Sequence, residues 1–287
     1  MALHGLLLHQ QLLLLLIISA VTAVFQLDPR CRSQMNCGSV KIPYPFGTSW
    51  GCYLDESFHI NCDNTSGIPK PVLAINSKIE VLDISLDDGE LLVSTPLISH
   101  CFNNVSSQSP SQSIWSKFPI SDGKNKFIAV GCDIIAYVKA SSGIYASACI
   151  SSCDSNSSVV NGTCSGRDYC EASVPQGVVN FDVYVLVSFD MVSYHNSCVY
   201  AFVVKKEEFH SPSSDLQKLQ NKSTVPVVLD WAIADKTCAD ARNREGYACV
   251  ANHSECQNST NGPGYLCKCS FGFEGNAYIK NGCKGTS

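Results

Sequence analysis

Seventeen cysteines in 287 residues constrain this chain more than any other feature. At that density the thiols call for an oxidising compartment, and the bridges they form let small modules fold by restricting the unfolded chain. None of the cysteines lies in the first 23 residues, which also lack Lys, Arg, Asp and Glu. There the apolar run Leu12 to Ile18 leads into Ser19-Ala20-Val21-Thr22-Ala23, the pattern of a secretory signal spanning 1–23 and cleaved after Ala23. The run is shorter than the ~20 residues a membrane-spanning helix needs.

Asparagine triplets agree with secretion. Asn64, Asn104, Asn156, Asn161, Asn221, Asn252 and Asn258 each open an Asn-x-Ser/Thr sequon, so glycans on exposed loops are expected. The formal charge is −5, with 20 Lys plus Arg against 25 Asp plus Glu, which argues against nucleic acid as a partner. The most apolar later stretch, Val183 to Val204, is interrupted by Asp190, His195 and Asn196. The chain as written is therefore expected to be secreted.

Residues 31–204 read as a mainly β, disulfide-rich module of short strands joined by Ser-, Asn- and Gly-rich loops. Leu82, Ile84 and Leu86 alternate with Asp83 and Ser85, Asp88-Gly89 turns the chain, and Leu91-Leu92-Val93 returns, which predicts a hairpin. Phe181, Val183, Val185, Val187 and Phe189 alternate as in a half-buried strand, and Cys198 to Val204 forms a further β-prone run. Within Cys37-Gly38-Ser39-Val40-Lys41-Ile42-Pro43-Tyr44-Pro45-Phe46-Gly47 the two prolines hold Ile42, Tyr44 and Phe46 extended, as a stiff spine or a preformed binding edge. A polar stretch at 205–225 reads as a linker, and 226–237 as a short extended connector.

From Cys238 the cysteine grammar changes. Cys238, Cys249, Cys256, Cys267, Cys269 and Cys283 are separated by ten, six, ten, one and thirteen residues, with Phe271-Gly272-Phe273-Glu274-Gly275 after the Cys-x-Cys pair. Spacing alone leaves 15 connectivities open for six cysteines. The pattern resembles an EGF-like domain over 238–283, and that resemblance implies pairing of Cys238 with Cys256, Cys249 with Cys267 and Cys269 with Cys283. A module this short cannot bury enough apolar area to fold alone, and three bridges at roughly 2 to 4 kcal/mol each make up the deficit.

Further landmarks are Ile42-Pro43-Tyr44-Pro45-Phe46-Gly47, Gly51-Cys52, Ile79 to Leu86, Gly131-Cys132-Asp133, Cys149 to Cys153, Cys164-Ser165-Gly166 and Val227-Val228-Leu229-Asp230-Trp231-Ala232-Ile233. In that order, and with the EGF-like domain, they resemble the extracellular region of plant wall-associated receptor-like kinases across the whole mature chain. The resemblance implies a galacturonan-binding Cys-rich domain at 31–204 that recognises pectin, polygalacturonate or its oligosaccharides, at the cell wall. It also implies a place at the plasma-membrane surface if the product is longer. No glycine-rich nucleotide loop, His-Arg-Asp loop or Asp-Phe-Gly triplet of a kinase occurs before Ser287.

A polymer with a carboxylate on every sugar calls for aligned cations and flat aromatic faces. Residues 24 to 54 hold Arg30, Arg32 and Lys41 against Asp28 alone, together with Tyr44, Phe46 and Trp50. A second group joins Lys117, Lys124 and Lys126 to Trp115 and Phe118, against Asp122. The pectin-binding candidates are thus Arg30, Arg32, Lys41, Tyr44, Trp50, Trp115, Lys117, Lys124 and Lys126.

The family's adjacent cysteines after Cys-Ser-Gly are replaced here by Arg167-Asp168-Tyr169-Cys170, which leaves 11 cysteines between Cys31 and Cys198. An odd count means one cysteine is unpaired or shared with another molecule. An intermolecular disulfide would suit an alternative role, that of a secreted decoy or co-receptor contacting related receptor-like kinases. Catalysis is not expected. The densest carboxylates, Asp83, Asp87, Asp88 and Glu90, flank a turn, and no Gly-x-Ser-x-Gly elbow is present. Neither a metal nor a cofactor is expected, because Cys267 and Cys269 belong to the EGF-like grammar and Asp235 alone precedes Cys238 closely.

Overall fold

The computed structural model describes residue 31 and residues 36–65, 67–101, 111–140, 145–151, 169–187, 198–210, 219 and 222–286. The signal at 1–23, Arg30, Arg32, Asn104, Asn156, Asn161 and Asn221 lie outside the described residues. Strands dominate and all pairing between them is antiparallel, so the chain is a mainly β, disulfide-rich protein. Among the described residues no helix is long and apolar enough to cross a membrane.

Three larger sheets build the first module. A five-stranded sheet runs in the order Thr224–Asp230, Glu90–Pro96, Asn76–Ser85, Lys70–Leu73, Ile60–Asp63. One four-stranded sheet contains Tyr145–Ser151, Ile134–Ala140, Phe181–Val187 and Ser111–Ile114, and the other Tyr169–Ser173, Asn125–Val130, Cys198–Lys205 and Ile98–Cys101. Val183 and Val185 of one four-stranded sheet share a core with Phe127, Ala129, Ala201 and Val203 of the other. In strand Phe181–Val187 the buried Phe181, Val183 and Val185 alternate with half-buried Asp182 and Tyr184, as the sequence does, and Leu186 beyond them is exposed.

Strand Cys198–Lys205 is buried almost throughout. Its second face, with Tyr200, Phe202 and Val204, lies under Phe209, Leu219 and Val225. A strand covered on both faces carries a continuous apolar run, which is why Val199-Tyr200-Ala201-Phe202-Val203-Val204 lacks alternation.

The hairpin expected at Asp88-Gly89 joins Asn76–Ser85 to Glu90–Pro96, with Ser85 opposite Glu90. A register shift between Val81 and Asp83 changes which side chains point inward. Val81 enters the core, whereas Leu82, expected to share a face with Ile84, is exposed.

The linker and connector stretch also differs from its sequence reading. Thr224–Asp230 is extended, but it is a full member of the five-stranded sheet, paired with Glu90–Pro96 over seven residues. Asn125, wholly buried, fastens this strand to the neighbouring sheet. Its Nδ2 donates to Val228 O (2.8 Å) and Ser121 O (2.7 Å), and its Oδ1 accepts from Val228 N (2.9 Å).

Seven disulfides join described residues. Cys31–Cys52, Cys37–Cys62, Cys101–Cys198 and Cys149–Cys170 lie in the first module, and Cys238–Cys256, Cys249–Cys267 and Cys269–Cys283 in the second. The second set runs first to third, second to fourth and fifth to sixth, around the two small hairpins Ser254–Asn258/Tyr265–Cys269 and Phe273–Gly275/Cys283–Gly285. Cys132 is disulfide-bonded too. Every described cysteine is thereby bonded, and the one left over by the odd count falls outside the described residues, which exclude only Cys153 and Cys164.

The proline stretch near the start, expected to be extended, instead makes a turn in which Phe46 N donates to Pro43 O (2.9 Å). Ile42, Tyr44 and Phe46 are all buried, and the Tyr44–Pro45 bond is cis. Gly38 takes a positive φ in the turn between Asn36–Cys37 and Val40–Lys41, where an added Cβ would strike Pro69 O. Phe46 meets Phe58 at 5.1 Å, Trp231 at 5.3 Å and Phe118 at 6.2 Å between ring centroids, and Trp231 meets Tyr278 of the second module at 5.7 Å. One aromatic cluster thus spans both modules.

Polar groups complete the junction. Asn276 Nδ2 donates to Tyr44 O (2.6 Å), and Ile233 and Tyr265 exchange backbone hydrogen bonds of 2.8 and 3.1 Å. Buried Asn261 donates from Nδ2 to Ile120 O (2.8 Å) and Asp230 Oδ2 (2.7 Å), and its Oδ1 accepts from Gly177 N (2.7 Å). Burial pushes the Asp230 carboxyl above the usual carboxylate value, with Glu90 and Asp122 adding to the shift and the donors Asn261 and Ser121 opposing it.

Three expectations follow from this arrangement. Trp231→Ala should cost about 3 to 5 kcal/mol in denaturant unfolding, since it removes the largest buried ring of the junction; a loss under 1 kcal/mol would contradict the role given to it. For Asp230 the protonated form is favoured in the fold. Its contribution is fully present below pH 3.8 and lost as pH rises through the raised native value. The stability of Asp230→Asn relative to the parent should therefore increase from pH 4 to pH 7, and a flat difference would refute the sign. Alkylation of the unreduced protein should place any label on Cys153 or Cys164, whereas label on a described cysteine would show that its bridge is not formed.

Candidate functional site

Cations and aromatic rings on the first module are the groups to follow. Lys41 ends the first hairpin and is exposed, and the Cys37–Cys62 bridge anchors that hairpin to strand Ile60–Asp63. Strand Lys70–Leu73 places Lys70 opposite Asp63. The Asp63 carboxyl is held below its ordinary value, chiefly by the Thr65 amide and hydroxyl, with Lys70 adding a smaller pull. Lys78 projects from Asn76–Ser85, and its amide donates to Asn76 Oδ1 (3.2 Å). Lys41, Lys70 and Lys78 thus come from neighbouring elements, all exposed.

Trp115 is brought to the same region. Asn76 Nδ2 donates to Trp115 O (3.1 Å), and the indole is 65 % exposed. Trp50, 86 % exposed, stands edge-on to Tyr53 at 6.3 Å, and Tyr53 stacks on His59 at 4.6 Å. Tyr44 is different. At 8 % exposure it packs in the core, and burial raises its hydroxyl pKa, with Asp55 contributing. It offers no flat face to a sugar, so the sequence reading is corrected there.

The second sequence cluster is dispersed. Lys124 pairs with Glu90 at 3.1 Å, which raises its pKa, and Lys126 pairs with Glu171 at 3.0 Å across the Asn125–Val130/Tyr169–Ser173 pair. Their charges are already answered. Lys117 lines a cleft of about 690 Å³ between the modules whose other charged lining residues are Asp55, Glu56, Asp230 and Asp235.

Lys70 and Lys78 escaped the sequence reading because neither stands in a cluster of cations and aromatic residues in the chain; sheet pairing puts their strands next to each other and the first hairpin next to Asn76–Ser85. Their positions at the exposed ends of apolar strands are the signal that was available. Of the sequon asparagines, Asn64, Asn252 and Asn258 are described and exposed.

Comparison with known proteins adds what geometry does not. Residues 31–95 match the family "Wall-associated receptor kinase galacturonan-binding". Over 92% of its length the chain is 38% identical to wall-associated receptor kinase 2 of Arabidopsis thaliana, covering 36% of that protein. It is 35% identical over 89% of its length to wall-associated receptor kinase 4 and over 90% to wall-associated receptor kinase 3 of the same plant, covering 34% and 36% of them. The chain spans about a third of the length of these curated relatives. No solved structure matches it. Fold, cysteine pattern and sequence together place the chain with the extracellular region of the wall-associated receptor kinases, a galacturonan-binding-type Cys-rich module followed by an EGF-like one.

Proposed function

We propose that this protein is a receptor-ectodomain-like binding protein for acidic cell-wall pectin, polygalacturonate or its oligosaccharides, and that it acts by binding, without catalysis. The observation that carries this reading is the match of residues 31–95 to the galacturonan-binding family. Exposed Lys41, Lys70 and Lys78 supply ammonium groups for polymer carboxylates, and Trp115, whose carbonyl is tied to Asn76, supplies an exposed flat ring. Trp50 offers a second exposed ring in the same family segment.

Ammonium groups on flexible stems suit a polymer whose carboxylates recur along a line, since each can follow its partner without bidentate geometry. Such contacts weaken with salt and add up along the chain. Fully methyl-esterified pectin offers no charge to them.

Retention on immobilised polygalacturonate, absent on the methyl-esterified polymer and falling as salt rises, is the expected result for the chain from residue 24. Lys41→Ala, Lys70→Ala and Lys78→Ala should each weaken binding by about two- to fivefold. Lys124→Ala and Lys126→Ala, whose charges are held by Glu90 and Glu171, should change it by less. A folded protein retained on neither polymer would overturn the pectin reading.

A further inference from the structure

We infer that the cleft between the two modules is a second binding site, for a short extended peptide segment carrying basic and apolar side chains. The cleft encloses about 690 Å³, within the range of roughly 300–1,000 Å³ typical of built ligand sites. Both modules form it. Residues 55–58 and 117–119 with Gly177 and Val179 line it from the first module, alternate residues from Asp230 to Ala234, with Asp235, line it between the modules, and Asn261 to Pro263 line it from the EGF-like module. Phe118, Val179 and Pro263 add apolar surface to the lining.

Charge selects the occupant. Asp55, Glu56 and Asp235, with Asp230 hydrogen-bonded to Asn261, line the cleft against Lys117 as its one cation, so negative charge prevails there. A polymer with one carboxylate per sugar is repelled there, so the pectin surface and this cleft take ligands of opposite sign. The carboxylates are spread over separate segments. Among the described residues they form no group of three or more that could hold a metal ion. A divalent cation needs converging oxygens, whereas separated carboxylates among apolar lining residues suit separated cations joined by apolar side chains. A basic peptide presents that pattern.

The cleft is also held open by fixed parts. Asn261 locks the EGF-like loop to Ile120, Asp230 and Gly177, and Gln176 Nε2 donates to Thr260 O beside it. A ligand therefore meets a preformed site and does not have to order the two modules on arrival.

The test is calorimetric titration of the full mature chain with a blocked hexapeptide of alternating lysine and leucine, and with its glutamate–leucine counterpart. Saturable 1:1 binding of the basic peptide alone is expected. Asp55→Asn with Asp235→Asn, both exposed side chains, should weaken it by about fivefold or more, and Lys117→Glu should tighten it by about two- to fivefold. Glu245→Gln with Glu274→Gln, exposed and outside the cleft, should leave it unchanged. Absence of saturable binding, an equal loss in that control pair, or no tightening by Lys117→Glu would each overturn the site. Polygalacturonate retention, read on the same variants, reports separately on the other surface.

Discussion

Trp231 is the residue on which the two modules depend. It is 1 % exposed, contacts Phe46 and Phe58 on one side and Tyr278 on the other, and its Nε1 donates to Ser85 O (3.2 Å). Edge-to-face rings at these separations contribute beyond the area they bury. The donor on the indole also fixes its orientation. Because Trp231 directly follows the sheet strand Thr224–Asp230 and precedes the Ile233–Tyr265 pairing, one side chain sets where the EGF-like module begins relative to the β core.

The EGF-like module illustrates the division between covalent and packed stability. Its three bridges surround two hairpins too small to bury a core of their own. Tyr265 and Tyr278 fill its centre, their hydroxyl oxygens accepting from Ala248 N (3.0 Å) and Cys267 N (2.8 Å). Burial raises both phenols. Tyr278 belongs at once to this interior and to the junction, so the module's own core continues into the larger one.

What the sequence made legible was whatever has a local cause. The alternation of Phe181 to Val187, the Asp88-Gly89 turn and the EGF-like cysteine spacing each specify structure within a few residues or by a fixed pattern. What it hid was set by register and long-range packing. The bulge after Val81 exposes Leu82, strand Thr224–Asp230 joins a sheet built some 130 residues earlier in the chain (Val225 against Thr95), and Tyr44 turns inward. Charge was hidden for the same reason. Lys124 and Lys126 look like free cations beside Lys117 in the chain, yet Glu90 and Glu171 reach them from other strands.

Linear charge counting fails here because β pairing redistributes the charges. The N-terminal segment is locally positive and the whole chain negative, but the fold puts exposed lysines on the hairpin and strand edges of the first module and gathers four carboxylates into the cleft. Neither set is contiguous in sequence. With a screening length of about 8 Å at physiological salt, each surface acts on a ligand by its own local sign and not by the net −5 of the chain. A polymer read by the first surface and a basic segment read by the second would also attract each other in solution. A polyanion bound through the lysines and a basic segment bound in the cleft would each be read by the charges nearest to it.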